Sequence, residues 1–390
     1  MIFAILSLAA SAAVFAILFW YGLRQRDIDR WFMPYLRQRL QGTRHAVADG
    51  PLHVMFCFVD HFEPLAAGAD DATGLARVQR WARDYRRAVA GRRDADGRPP
   101  VHTFFYPEEE YRADHVEVMA GVCREGLGEF EVHLHHDHDT DSGLRAKLAS
   151  FVSVLADRHG LLTRGADGKI PFAFIHGNWA LDNSRPDGRW CGVNNELVVL
   201  RESGCYADFT FPSAPSDTQP RTINSIYYAA DDPGRPKSHD YGSPMRVGGS
   251  PQGDLLLMQG PLGLHWRHRK LGIWPRIENS DIAPIDIPID ERVVLWLDAH
   301  IHVAGRPEWL FIKVHTHGAI EENADWLFAD GGHGELTRLH DALERQCNDG
   351  KSHLLHYVTA REMFNIAKAA EAGCSGNPND YRDFVIPRRH

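Results

Sequence analysis

Short apolar runs and longer stretches of helical periodicity alternate along this chain. Residues 52–59 form a nearly continuous apolar run, as in a parallel strand buried on both faces. Residues 74–90 follow, with apolar positions at 75, 78, 81, 82, 85, 88 and 89, which is helical spacing. The same two rhythms recur. Strands are expected at 101–107, 131–135, 170–175, 204–213, 255–258, 309–314 and 356–358. Helices are expected at 114–125, 142–159, 195–201, 291–304, 336–348 and 359–372. Strand and helix in turn imply parallel crossovers, hence an α/β fold, as in a (β/α) barrel. Residues 214–250 are rich in Pro, Gly, Ser and Asp and read as a long functional or mobile excursion.

The pattern is different at the N-terminus. Residues 2–23 carry no charge and are long enough to cross a hydrocarbon core of about 30 Å. Phe19, Trp20 and Tyr21 would form an interfacial aromatic belt. No Lys or Arg precedes the run, which favours an uncleaved anchor over a signal peptide. Arg24, Arg26 and Arg30 follow at once, and the positive-inside rule favours the cytoplasmic face for the rest of the chain without fixing its side. Residues 28–40 read as an amphipathic helix, lying on the membrane surface or packed on the domain. The expectation is a single-pass membrane protein with a barrel preceded by a single transmembrane helix. Its parts are an anchor at 1–23, a juxtamembrane segment at 24–50 and a barrel domain at 51–390.

Composition narrows the function. The chain has 390 residues, 44% hydrophobic and 24% charged, which is ordinary globular balance. A net charge of −9 argues against a nucleic-acid partner. Six cysteines without a Cys-x-x-Cys pair argue against thiolate zinc and thioredoxin-like chemistry. The outlier is histidine, with 23 residues clustered at 133–138, 265–268, 300–302 and 315–317.

The densest cluster is Glu131-Val132-His133-Leu134-His135-His136-Asp137-His138-Asp139-Thr140. On a strand, His133 and His135 share a face and can converge on one metal ion. Other strand ends are polar too. Asp60 and His61 follow the first strand, and His176-Gly177-Asn178-Trp179 follows the fourth as a substrate wall. Asp208, His315 and His317 close later strands. Glu108, Glu109 and Glu110 read as the acidic first turn of a helix. His300 and His302 read as structural. In a barrel the strand ends meet at one mouth. A divalent metal with an open position, a carboxylate base and a histidine acid make a hydrolase. No G-x-S-x-G, Walker loop or G-x-G-x-x-G after a strand is present.

The order of these motifs resembles the polysaccharide deacetylases, the family 4 carbohydrate esterases and their divergent relatives, which share an incomplete (β/α) barrel. Phe58-Val59-Asp60-His61 is similar to their opening T-F-D-D, with His61 replacing the metal-binding aspartate. The resemblance implies Asp60 as catalytic base. Glu131-Val132-His133-Leu134-His135 is similar to the strand before their H-x-x-x-H, with Asp139 where the second histidine would stand. It implies His61, His135, Asp139 and His133 as metal ligands, with His138 the rival of His133. The loop at 176–179 is loosely similar to the aromatic third motif and lacks its arginine, and 204–210 resembles the fourth. Trp179, Asn178, Asp208 and His315 are the implied substrate contacts. Val314-His315-Thr316-His317-Gly318 resembles the last motif and implies His317 as general acid. The resemblance implies a membrane-anchored, zinc-dependent hydrolase removing acyl groups from a polysaccharide or lipid-linked sugar. Two other readings stand beside it. One is an amidohydrolase-type metal hydrolase. The other is a non-catalytic barrel that binds glycan or scaffolds a membrane assembly.

Overall fold

A computed structural model describes residues 2–41, 50–165, 167–285, 287–329 and 334–388. The N-terminal half runs α1 (Ile2–Arg24), α2 (Asp29–Gln41), β1 (Leu52–His61), α3 (Asp71–Val89), β2 (His102–Pro107) and α4 (Ala113–Arg124). It continues with β3 (Gly128–Leu134), α5 (Asp141–Ser153), β4 (Phe172–His176), α6 (Glu196–Glu202) and β5 (Cys205–Asp208). Then come β6 (Ile226–Ala229), β7 (Ser243–Pro244), β8 (Leu255–Met258), β9 (Gly263–Lys270) and β10 (Trp274–Glu278). The chain closes with α7 (Ile289–Ala299), β11 (Trp309–Thr316), α8 (Glu321–Leu327), α9 (Glu335–Cys347), β12 (His353–Tyr357) and α10 (Ala360–Glu371).

Ten strands make one sheet, in the order β11-β1-β2-β3-β4-β5-β8-β6-β7, with β12 also paired to β1. The ladders from β11 to β8 are parallel, whereas β6 runs antiparallel to both β8 and β7. Apolar runs such as Val54, Phe56 and Phe58 are fully buried, each stabilising the fold by about 1.5–3 kcal/mol. The predicted excursion at 214–250 supplies β6 and β7.

The expected barrel behind a transmembrane helix is corrected on both counts. The sheet has free ends, and among the described residues no ladder joins β7 back to β11. The antiparallel turn at β6 ends the parallel series. The face that would line a barrel interior instead packs on α10, through Met363, Phe364, Ile366 and Ala367. Among the described residues no helix is long and apolar enough to cross a membrane, so a single-pass membrane protein is not supported. The last turns of α1 pack on protein. Phe19 stacks on Trp274 with ring centroids 6.1 Å apart, and Leu23 is buried. Gly22 lies so close to the Trp274 ring that a Cβ there would collide with it. Residues 28–40 are mostly the helix α2, with Ile28, Trp31 and Tyr35 buried in the same cluster. Positions 42–49 of the expected juxtamembrane segment lie outside the described residues.

Local signals account for several boundaries. Asp70 caps α3 by accepting from the Thr73 amide, which starts the helix earlier than periodicity alone suggests. Thr359 and Glu362 form a capping box that starts α10. The helix predicted at 291–304 ends at Ala299, because His300 adopts a left-handed conformation with φ of 47°. The basic stretch at 265–270 lies in β9 and pairs with β10 as a hairpin.

Candidate functional site

Parallel strands deliver their last side chains to one edge of the sheet, and the pleat sorts them to its two faces. On β1, Val54, Phe56 and Phe58 join the helix-covered core, while Met55, Cys57 and Val59 join the core against α10. His61 continues the second series and Asp60 the first. On β3, Phe130, Val132 and Leu134 belong to the helix-covered core, so His133 projects from the other face. The same parity places His315 of β11 beside His61. The ring of His61 lies 4.6 Å from that of His317, 5.0 Å from His133 and 5.8 Å from His315, between centroids.

Hydrogen bonds fix how these rings present themselves. His133 Nδ1 donates to the Ile175 carbonyl at 2.8 Å, since a carbonyl can only accept. Its Nε2 lies within hydrogen-bond distance of Glu63 Oε1, 3.1 Å away. His61 Nε2 is buried without a hydrogen-bond partner. Ligand atoms of His61, Glu63 and His133 all lie within 4.8 Å of one another, so the three could hold a metal ion. A buried imidazole nitrogen without a partner and a carboxylate facing one space are both satisfied by a cation when that nitrogen is unprotonated.

Burial pushes the His61 and His315 imidazoles well below their usual range, helped by neighbouring cations and imidazoles. Burial alone would raise the Glu63 carboxyl, but the hydrogen bond and charge of His133 hold it at about 2. His135 flanks the cluster, with Nε2 3.7 Å from Glu63 Oε1 and Nδ1 bonded to Glu109. Burial disfavours its charge, but Glu109, Glu63 and Glu110 outweigh burial and raise its pKa. The loop after β4 passes so close that a Cβ at Gly177 would strike the His135 ring. That loop holds Asn178 and Trp179 at φ of 55° each, a conformation that side chains other than glycine adopt rarely. Trp179 is half-buried, its ring 6.2 Å from His317.

The remaining expected residues fall into other places. Asp60 is fully buried, its Oδ1 accepting from the Gly318 amide at 2.7 Å and its Oδ2 3.1 Å from His102 Nε2. Asp139 does not join His61. Its Oδ2 lies 2.7 Å from Lys147 Nζ and 3.3 Å from His136 Nδ1. Asp208 is buried and accepts from the Thr210 hydroxyl at 2.7 Å, and burial raises its carboxyl to about 7. His138 is exposed beside Asp137. Glu63 and Asp281 were not singled out by sequence, and Glu109 was read there only as part of an acidic helix turn. Glu63 carried a signal, standing two positions beyond His61 and so on the same face of an extended chain. Asp281, 3.9 Å from His315 Nε2, comes from a separate stretch and carried none.

Two further groups of ligand-type side chains occur among the described residues. His136, His176, Cys191 and Glu196 are fully buried, and His265, His268 and Glu291 lie nearer the surface.

No family model and no curated protein matches the chain. Among solved structures it is similar to a GH57-type branching enzyme from the hyperthermophilic archaeon Pyrococcus horikoshii, at 9% identity and a TM-score of 0.40. The alignment covers 84% of this chain and 71% of that one. The deacetylase resemblance is therefore corrected: no family model supports it. The two aspartates that carried it, Asp60 and Asp139, are both engaged away from the His61 cluster.

Proposed function

We propose that the chain is a metal-dependent hydrolase acting on a glycan, with its centre at His61, Glu63 and His133. One observation carries this reading: the buried, unpartnered Nε2 of His61 converges with Glu63 and His133 at an edge of the sheet. Zinc suits two imidazoles and a carboxylate, and such an ion makes water nucleophilic near neutral pH. The chain's own residues orient and protonate. His317, packed against both His61 and Trp179, would protonate the leaving group in this reading. His135, oriented by Glu109, lines the same space. Asp60 holds the Gly318 amide, so its role is to position the His317 loop. Trp179 offers an aromatic face for a sugar ring, with Asn178 and His315 alongside. The catalytic unit would be residues 51–390.

The test uses the full chain, stripped with chelator and reloaded with zinc, against a panel of oligosaccharides. Products are read by mass spectrometry. Hydrolysis that returns with zinc and is lost in His61→Ala is expected. A protein with metal bound at His61 that hydrolyses no member of the panel would sink the proposal.

A further inference from the structure

We infer that His136, His176, Cys191 and Glu196 form a second metal site, closed and structural, that takes one zinc ion. It is independent of the hydrolase reading. The four residues come from the turn after β3, the end of β4, the loop before α6 and the first residue of α6. All four are buried, and their ligand atoms lie within 4.8 Å of one another.

The hydrogen bonds around the cluster leave the inner nitrogen of one buried imidazole, His176, without a partner. His176 Nδ1 lies 2.5 Å from the Gly177 carbonyl and must donate to it. A neutral His176 therefore turns an acceptor, Nε2, toward Glu196 Oε1 at 3.5 Å. His136 holds the same Glu196 oxygen through Nε2 at 3.1 Å, while its Nδ1, 3.3 Å from Asp139 Oδ2, has no hydrogen-bond partner. Ligating histidines are held as His176 is, with the outer nitrogen on a carbonyl and the inner one on the ion. The buried, unpartnered Nε2 of His176 facing a carboxylate is an arrangement that a cation satisfies.

Cys191 completes the set. Its Sγ accepts backbone N–H groups from Asn183 at 3.3 Å and Val193 at 3.4 Å, and lies 3.4 Å from Glu196 Oε2. These two amides would offset part of the charge of a metal-bound sulfur. The Asp139 amide donates to the Cys191 carbonyl at 2.8 Å, which ties its loop to the turn after β3. Two nitrogens, one sulfur and one oxygen are a tetrahedral zinc set with no position left for substrate. On binding, the Cys191 S–H bond breaks, the S–Zn bond forms and the proton leaves to solvent.

The experiment loads metal-stripped full-length protein with cobalt(II) and, separately, with zinc. Wild-type protein should show a near-ultraviolet sulfur-to-cobalt charge-transfer band. His61→Ala should keep the band, because the cluster at His61 contains no sulfur, and Cys191→Ser should lose it along with one equivalent of bound metal. X-ray absorption of the zinc-loaded wild type covers a Cys191→Ser variant that fails to fold. It should show a sulfur neighbour at about 2.3 Å. Absence of the band or of the sulfur neighbour in wild type, or a Cys191→Ser variant that keeps both, overturns the site. Loss of hydrolysis with the band intact would count against the reaction centre alone.

Discussion

The two histidine–carboxylate clusters stand at the same edge of one sheet, yet they differ in access. His61 and His133 project from the face packed on α10, and their surroundings include half-buried Glu63, His135, His317 and Trp179. His176 belongs to the helix-covered face, and it meets His136, Cys191 and Glu196 where all four are buried. The ligand types are nearly the same. What separates a candidate reaction centre from a candidate clamp is how many ligand positions the protein fills and whether substrate can reach the rest. The pleat makes this division, because neighbouring residues on a strand face opposite ways.

The largest expected effect breaks the comparison from the open side. His61→Ala should lower turnover by roughly 10³-fold or more while the melting temperature barely moves, read by steady-state kinetics and circular dichroism. A variant that melts early instead would make His61 structural. From the closed side, Glu196→Ala should cost about 3–5 kcal/mol in urea unfolding, because it strands buried histidines without their carboxylate. Turnover per folded molecule should change far less. A stability loss below about 1 kcal/mol would remove the distinction between the clusters.

Smaller effects sharpen it. Glu109→Gln removes the charge that orients His135 and should reduce turnover or metal affinity by about 10–100-fold. Isothermal titration with zinc separates the two outcomes, and an unchanged enzyme would exclude His135 from the site. His340 gives a metal-free baseline. It is fully buried beside Tyr357, and burial lowers its pKa to about 3, with Arg92 and His102 adding to the shift. In the unfolded chain it takes a proton near pH 6.5, so stability is intact above that pH. It is lost as pH falls toward 3, with a slope of about 1.4 kcal/mol per unit from this group. His340→Gln should flatten the slope in urea titrations, with or without zinc. A slope that the variant leaves unchanged would show that His340 does not titrate between pH 6.5 and 3. Trp179→Ala should be mildest, raising KM about 2–10-fold with kcat nearly constant, as for one lost aromatic stacking contact. A fall in kcat instead would make Trp179 part of the chemistry.

Much of this was legible in the sequence, for physical reasons. The buried parallel strands read directly as apolar runs, and their polar ends exposed His61, His133, His315 and His317. The second cluster was not legible. Cys191 sits in an irregular loop and Glu196 opens a short helix, so no spacing rule connects them to His136 or His176. The motif resemblance grouped Asp139 with His135, but the chain turns after β3 and sends it to Lys147. The apolar N-terminal run looked like a membrane span. Periodicity could not foresee that its last turns would meet Trp274 from a distant hairpin. Single-sequence patterns register burial and strand ends well, and long-range loop assembly hardly at all.

The pairing of β1 has a consequence for how the chain is made. Its N-terminal half pairs with β12 and its C-terminal half with β2, while β11 runs along its other side. Two of those three partners emerge only after residue 308, so during synthesis the central strand waits with one long edge bare. Such an edge is a template for unwanted strand addition, and closing it demands contacts far apart in sequence, which form slowly. The nascent chain should depend on chaperones until Trp309–Thr316 arrives, and fragments ending before that strand should aggregate when expressed.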